Sequence, residues 1–291
     1  NTAVGASALA ANTTGSVNSV FGYQAGYSLT TGTFNNFFGE NAAYYQTTGS
    51  YNIAIGQGAL QGVFGQSNTG SNNTAVGNNA LLNNTTASNN TAVGYQAGYT
   101  NTTGSENTYM GFVTGFGNTT GLSNAAFGKS ALYTNSTGSY NSAHGHSSLA
   151  SNSTGENNTS VGYQSLTSNT TASNNTAVGY QAGYTNQTGT GFTALGYQAG
   201  YTATGNYNTV IGKSAGVGLT TGTNNTFIGV NNAAEGAGHY VTTGSLNTIL
   251  GGYNGNQGGL DIRTANNYVV LSDGDGNPRG IFDSSGNLLV G

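Results

Sequence analysis

The sequence predicts an all-β fold: a parallel β-solenoid, or β-roll, of about fifteen coils of 17 residues ending in a short C-terminal β-meander. Three observations predict it. A unit of the form Asn-x-x-apolar-Gly begins at residues 1, 18, 35, 52, 73, 90, 107, 124, 141, 158, 175, 192, 208, 225 and 247, and eleven of the fourteen intervals are 17 residues. A fixed short period marks units that bury their apolar side only by stacking on neighbours. Glycine recurs in every unit beside β-branched residues, and no 3.6-residue stripe is present, which disfavours helix. Only 4% of the residues are charged, against about a quarter in an ordinary soluble domain.

Taken in order along the unit, each position predicts a role. The first is Asn in fourteen of fifteen units, with Phe192 the exception, and stacked Asn can form an axial hydrogen-bonded ladder. The fourth is apolar in fourteen of fifteen, His144 being the exception, and is expected to form the core stripe. The fifth is Gly in all fifteen, which marks a corner where φ is positive or a side chain has no room. The eighth is mostly small, as a narrow interior demands.

Positions nine and ten trade size. Gly98 is followed by Tyr99 and Gly115 by Phe116, whereas Leu60 is followed by Gln61 and Leu149 by Ala150. This reads as one large side chain filling the same slot by either route. The fourteenth position is Thr wherever it aligns, a second candidate ladder, and Gly follows it in most units. Ala87 and Ala172 replace that Gly, so this second corner does not require a left-handed residue. In the best-formed unit the structural residues are Asn90, Val93, Gly94, Ala97, Tyr99, Thr103 and Gly104. Two strands of about four residues per coil fit these corners, and fifteen coils at standard spacing give a rod of about 70 Å.

Each coil offers only three or four apolar side chains, a meagre core for its surface. Side-by-side association, most simply as a homotrimer, would bury the remaining Tyr and Ala faces. The repeat shaft is assigned to residues 1–251 and a transition with a meander cap or junction to 252–291, where half of the charges gather. Within it, residues 268–291 read as three short strands separated by Asp-Gly-Asp-Gly-Asn-Pro and Asp-Ser-Ser-Gly-Asn turns. The chain opens on a complete unit with no polar cap, so it is expected to be a piece of something longer. Insertions near residues 62–65 and 233–240 are both placed after the ninth position, on one edge.

Composition also excludes functions. With four Lys and Arg and a net charge of −4, no basic stripe exists to neutralise phosphates, so neither nucleic acid nor an anionic membrane surface is expected as partner. No apolar run reaches the roughly 18 to 20 residues a spanning helix needs, so membrane insertion is not expected. Without Cys there are no disulfides or thiolate metal sites. The chain is read as non-enzymatic and without cofactors: Glu40, Glu106, Glu156 and Glu235 are scattered, where glycan cleavage needs two carboxylates about 5 to 10 Å apart.

Four residue groups invite a binding reading beside a structural one. His144-Gly-His146 has metal-ligand spacing, tripled in a trimer, against tolerated variation in one coil. Tyr163, Tyr180 and Tyr197 occupy the sixth position of successive coils, an aromatic ladder for glycan stacking or for packing between chains. Asp273-x-Asp275-x-Asn277 begins like a calcium loop, yet Pro278 stands where that loop needs Gly, and a turn is the expectation. Eight units carry Asn-x-Ser/Thr at position twelve, from Asn12 to Asn186, either glycosylation acceptors or a corner motif.

The unit Asn-Thr-Ala-Val-Gly-x-x-Ala resembles the head repeats of trimeric autotransporter adhesins, which implies a left-handed trimeric β-roll. Residues 268–291, with Asp275-Gly-Asn-Pro-Arg and Phe282-Asp-Ser-Ser-Gly-Asn, resemble the segment that precedes a self-cleaving trimerisation chaperone in many phage tail fibres. The resemblances imply a structural fibre: the rigid shaft of a phage tail fibre supporting host attachment, or a bacterial surface adhesin. Its partner is then a host surface glycan or receptor, and its location extracellular, on the virion or the bacterial surface. His-x-His pairs that hold iron in some tail-fibre tips add to the metal reading of His144 and His146. A rival from a different class is an ice-binding solenoid, motivated by the Thr column at position fourteen.

Overall fold

Backbone N–H groups around almost the whole perimeter of each turn donate to carbonyls of the turn before or after it, and this axial bonding, not a deep core, builds the fold. The computed structural model describes residues 1–233 and 235–290. It is all-β, with no helix among the described residues, and its turns number about sixteen. Fifteen three-residue strands, from Thr2–Val4 to Thr248–Leu250, recur at the sequence period. The sixteenth rung is Val269–Ser272, which pairs in parallel with Thr248–Leu250. Loss of the period after Gly251 hides this turn because a small hairpin, Asn256–Gln257 with Leu260–Asp261, lengthens it.

The chain divides into two compact units, Asn1–His146 with Asn152–Thr154, and Ser147–Ser151 with Gly155–Gly291. In the first, nine strands pair in parallel and in strict register, Thr91 on Thr108 and Val93 on Met110. In the second the same pattern runs from Thr159–Val161 onward. There Val269–Ser272 turns antiparallel onto Pro278–Phe282, which pairs with Leu288–Val290. This is the expected three-strand meander.

Each turn holds one three-residue strand, not two of four. The reason is a set of left-handed residues that no composition rule announces. In the turn starting at Asn90, Gly94 (φ 135), Gln96 (φ 54), Gly98 (φ 62) and Glu106 (φ 63) all have positive φ. With them the backbone donates in both axial directions. Gln96 N–H reaches back to Asn78 O, and Gly98 N–H reaches forward to Thr114 O. The perimeter is therefore bonded without being extended. At Gly94 both reasons for glycine hold together, since a Cβ there would meet the carbonyl of Gly111 in the next turn.

The core stripe lies one residue before its expected place. Alternation along a strand puts the third position inward and the second and fourth outward. Val20, Phe37, Ala54, Ala92, Tyr109 and Phe227 at position three are fully buried. Val93 at position four is half-buried, and Val4, Phe21, Phe38, Ile55 and Met110 are exposed. The size exchange also has different partners. Position nine points inward, as at Leu60, Leu81 and Leu132, whereas Tyr99 at position ten points outward and stacks on Phe116. Where position nine is Gly, a neighbouring side chain takes the vacated space: Tyr109 at position three fills the gaps at Gly98 and Gly115, and Phe192 at position one those at Gly183 and Gly200. Ala97 at position eight is buried, as expected.

Two seams of asparagine run inside the turns, broken at position one by Phe192 and at position twelve by residues such as Leu29 and Gln46. At position one, Asn107 accepts from the backbone N–H of Asn124 at 2.9 Å, and its own amide donates to Gly121 O at 2.9 Å. At position twelve, Asn118 donates to Asn101 Oδ1 at 2.7 Å and Asn135 to Asn118 Oδ1 at 2.8 Å. The expected Asn ladder is thus doubled. The hydroxyl ladder exists but sits one residue earlier than expected: Thr102 donates to Thr119 O and Thr119 to Ser136 O, while Thr103 at position fourteen is exposed. Gly104 lacks a positive φ, in keeping with Ala at the same corner elsewhere.

Candidate functional site

The strand's outward face repeats from turn to turn within each unit. Strict register aligns the fourth-position side chains into an apolar column, and in the first unit Phe21 stacks on Phe38 with ring centroids 5.0 Å apart. Thr74, Thr91 and Thr108 form a polar column beside it at position two. Beyond the glycine corner, position six carries the aromatic ladder read from the sequence. In the second unit Tyr163, Tyr180 and Tyr197 stack at 5.4 Å and 5.1 Å with planes within 8° of parallel, each ring more than two-fifths exposed. Position ten adds another outward ladder, Tyr99 on Phe116 on Tyr133.

His144 and His146 stand on this outer side, at positions four and six. His144 takes its place in the apolar column by stacking on Phe127 at 4.7 Å. Among the described residues no group of three or more His, Cys, Asp or Glu is placed to hold a metal ion, so this chain alone brings two ligands at most to the pair.

The position-twelve sequons are interior. Asn84, Asn101, Asn118, Asn135, Asn152, Asn169 and Asn186 are all buried, with Asn101 and Asn118 bonded within the seam; only Asn12, in the first turn, is partly open. The acceptor reading therefore falls for the seven buried ones, because a fully buried amide leaves no room for a glycan in the folded turn.

The acidic turns are bonded by their own residues. Asp273 Oδ1 accepts the backbone N–H groups of Asp275 and Asn277 and its other oxygen accepts from Arg279, so this is a capped turn. Asp283 repeats the device with Ser285 and Asn287. Asp261 is held by Arg263 to a pKa of about 2.

The two insertions leave from different places, not both after position nine. Residues 62–67 leave after position ten and are closed by Asn68, whose amide grips Val63 from both sides. The second departs earlier, between Gly229 and Ala237, since Ala237 N–H returns to Gly229 O and Val230 bridges Gly236. Of the segment 233–240, Ala234 lies outside the described residues. Glu235 anchors this loop, accepting from Asn254 at 2.8 Å, Tyr240 at 2.7 Å and Asn231 at 3.2 Å. The Asn254 bond first, then Tyr240, hold its carboxyl below the ordinary 4.5.

Compared with protein-family models, curated proteins and solved structures, the chain matches none. No helix of the described residues is long and apolar enough to cross a membrane.

Proposed function

We propose that this chain is a non-enzymatic structural fibre, the rigid shaft of a phage tail fibre, assembled as a homotrimer that supports host attachment from the virion surface. The observation that carries the reading is the outward apolar column at position four. Val4, Phe21, Phe38, Ile55 and Met110 in the first unit, and Val161, Leu195, Ile228 and Leu250 in the second, are 36–56% exposed in the single chain. Within either unit, exposed apolar side chains aligned rung upon rung mark an association face. Three chains about an axis parallel to the stacking direction would bring like columns together rung by rung, because every rung repeats along that axis.

Sedimentation velocity and negative-stain microscopy test it. Slender trimers are expected, reduced to monomers when Phe21, Phe38 and Ile55 are changed together to Ser. A monodisperse globular monomer overturns the reading. The adhesin alternative shares this architecture and differs in location, on a bacterial surface. The ice-binding alternative is favoured by the exposure of Thr31, Thr48, Thr103 and Thr120 at position fourteen, and absence of thermal hysteresis disposes of it.

A further inference from the structure

In the first unit two ladders are interrupted in the turns beginning at Asn18, Asn35 and Asn52, on the side after the glycine corner. In the second unit three seventh-position glutamines satisfy one another: Gln181 donates to Gln164 at 2.9 Å and Gln198 to Gln181 at 3.0 Å. In the first, Gln24 is followed by Asn41, too short to continue the ladder, and then by Gly58. The position-ten stack also stops. Tyr27 lies on Tyr44 at 5.0 Å, and Gln61 stands where the next ring would be. These two interruptions open a pocket of about 230 Å³ lined by Gln24, Asn41, Tyr44, Tyr45 and Gln61. All five are half-buried, and none of their side chains forms a hydrogen bond within the protein. Beside it Phe64, on the 62–67 insertion, packs against Tyr45 with centroids 5.7 Å apart and is 80% exposed.

We propose that this pocket binds one ring of a neutral saccharide. Three amides and two phenols converge as unpaired donors and acceptors, the complement of a ring of hydroxyls. No charged side chain lines the pocket, which favours a neutral ligand over an anionic or cationic one. Its volume lies below the 300–1,000 Å³ of sites for larger ligands, so it suits a single sugar residue. Phe64 supplies an apolar face for the C–H side of the sugar. The site is separate from the Tyr163 column and does not depend on the fibre reading, because the pocket belongs to a single chain.

The test is saturation-transfer NMR with methyl glycosides of glucose, galactose, mannose and N-acetylglucosamine, followed by ¹H–¹⁵N titration. At least one glycoside is expected to bind saturably and to shift Asn41 and Gln61 side-chain amides. Asn41→Ala should weaken it about fivefold, the factor one lost neutral hydrogen bond corresponds to. Gln61→Tyr extends the existing stack into the pocket, so it should stay folded and abolish binding, while Gln181→Ala leaves binding unchanged. The proposal is overturned if none of the four binds, if binding survives Gln61→Tyr, or if Tyr180→Ala removes it.

Discussion

At the scale of single residues most of the interior's polar groups are paired, and Gln46 is an exception. It occupies position twelve, fully buried, and neither its amide nitrogen nor its oxygen has a hydrogen-bond partner. Leu29, at the same position one turn earlier, is equally buried and apolar. Gln46→Leu is therefore expected to raise stability by about 1–3 kcal/mol, the cost of a buried unsatisfied polar group, read as a higher urea midpoint. The fifth-position glycines were legible from the sequence because a demand for Gly in every unit has few physical causes. The left-handed residues at positions seven and seventeen were not, since Val17 (φ 58), Phe34 (φ 59) and Tyr51 (φ 59) adopt a conformation their side chains disfavour. Only the neighbouring turns, which need those N–H groups reversed, impose it.

At the scale of the element, the unit of stability is a seam and not a strand. Removing one member leaves a buried donor unmet. Asn107→Ala strands the N–H of Asn124, whereas the carbonyl of Gly121 keeps the amide of Asn118. A loss of about 1–3 kcal/mol is expected from that one group, measured by chemical denaturation. The loop anchored by Glu235 should respond to acid. Its folded pKa lies below the unfolded value near 4.5, so its contribution is complete above that pH and is lost as pH falls through the lowered folded value. Below pH 4.5 the side-chain amide resonance of Asn254 should shift, and Glu235→Gln should abolish that titration. Sequence periodicity located the apolar strand residues but set the core one place late. Both faces of a three-residue strand are apolar here, and alternation alone does not say which face points inward. The same limit hid the pocket near Gln61, which arises from two interrupted ladders and carries no motif.

At the scale of the whole molecule, the period made the solenoid legible because each turn repeats one solution to one packing problem. Residues 84–101 and 169–186 are identical in sequence, lie in different units, and adopt matching φ at Gln96 and Gln181 (54° and 51°) and at Asn89 and Asn174 (61° and 62°). The outward face was not legible in the same way, since the period marks positions four and six as recurrent but not as exposed. Turn-by-turn additivity predicts that deleting residues 90–106, one full period, leaves a folded protein with one turn fewer. Circular dichroism and a cooperative melt should be retained, whereas deleting residues 90–98 should destroy both by shifting the register.

The position-one seam also has a direction. Every oxygen in it faces the following turn and receives that turn's N–H, from Asn1 to Asn18 onward through Asn107 to Asn124. A completed turn thus presents an acceptor of fixed position and spacing to whatever is laid on it. That makes the stack a one-way template: a new turn is accepted in parallel and in register, and one arriving upside down or slipped by a residue finds its amide opposite the wrong group.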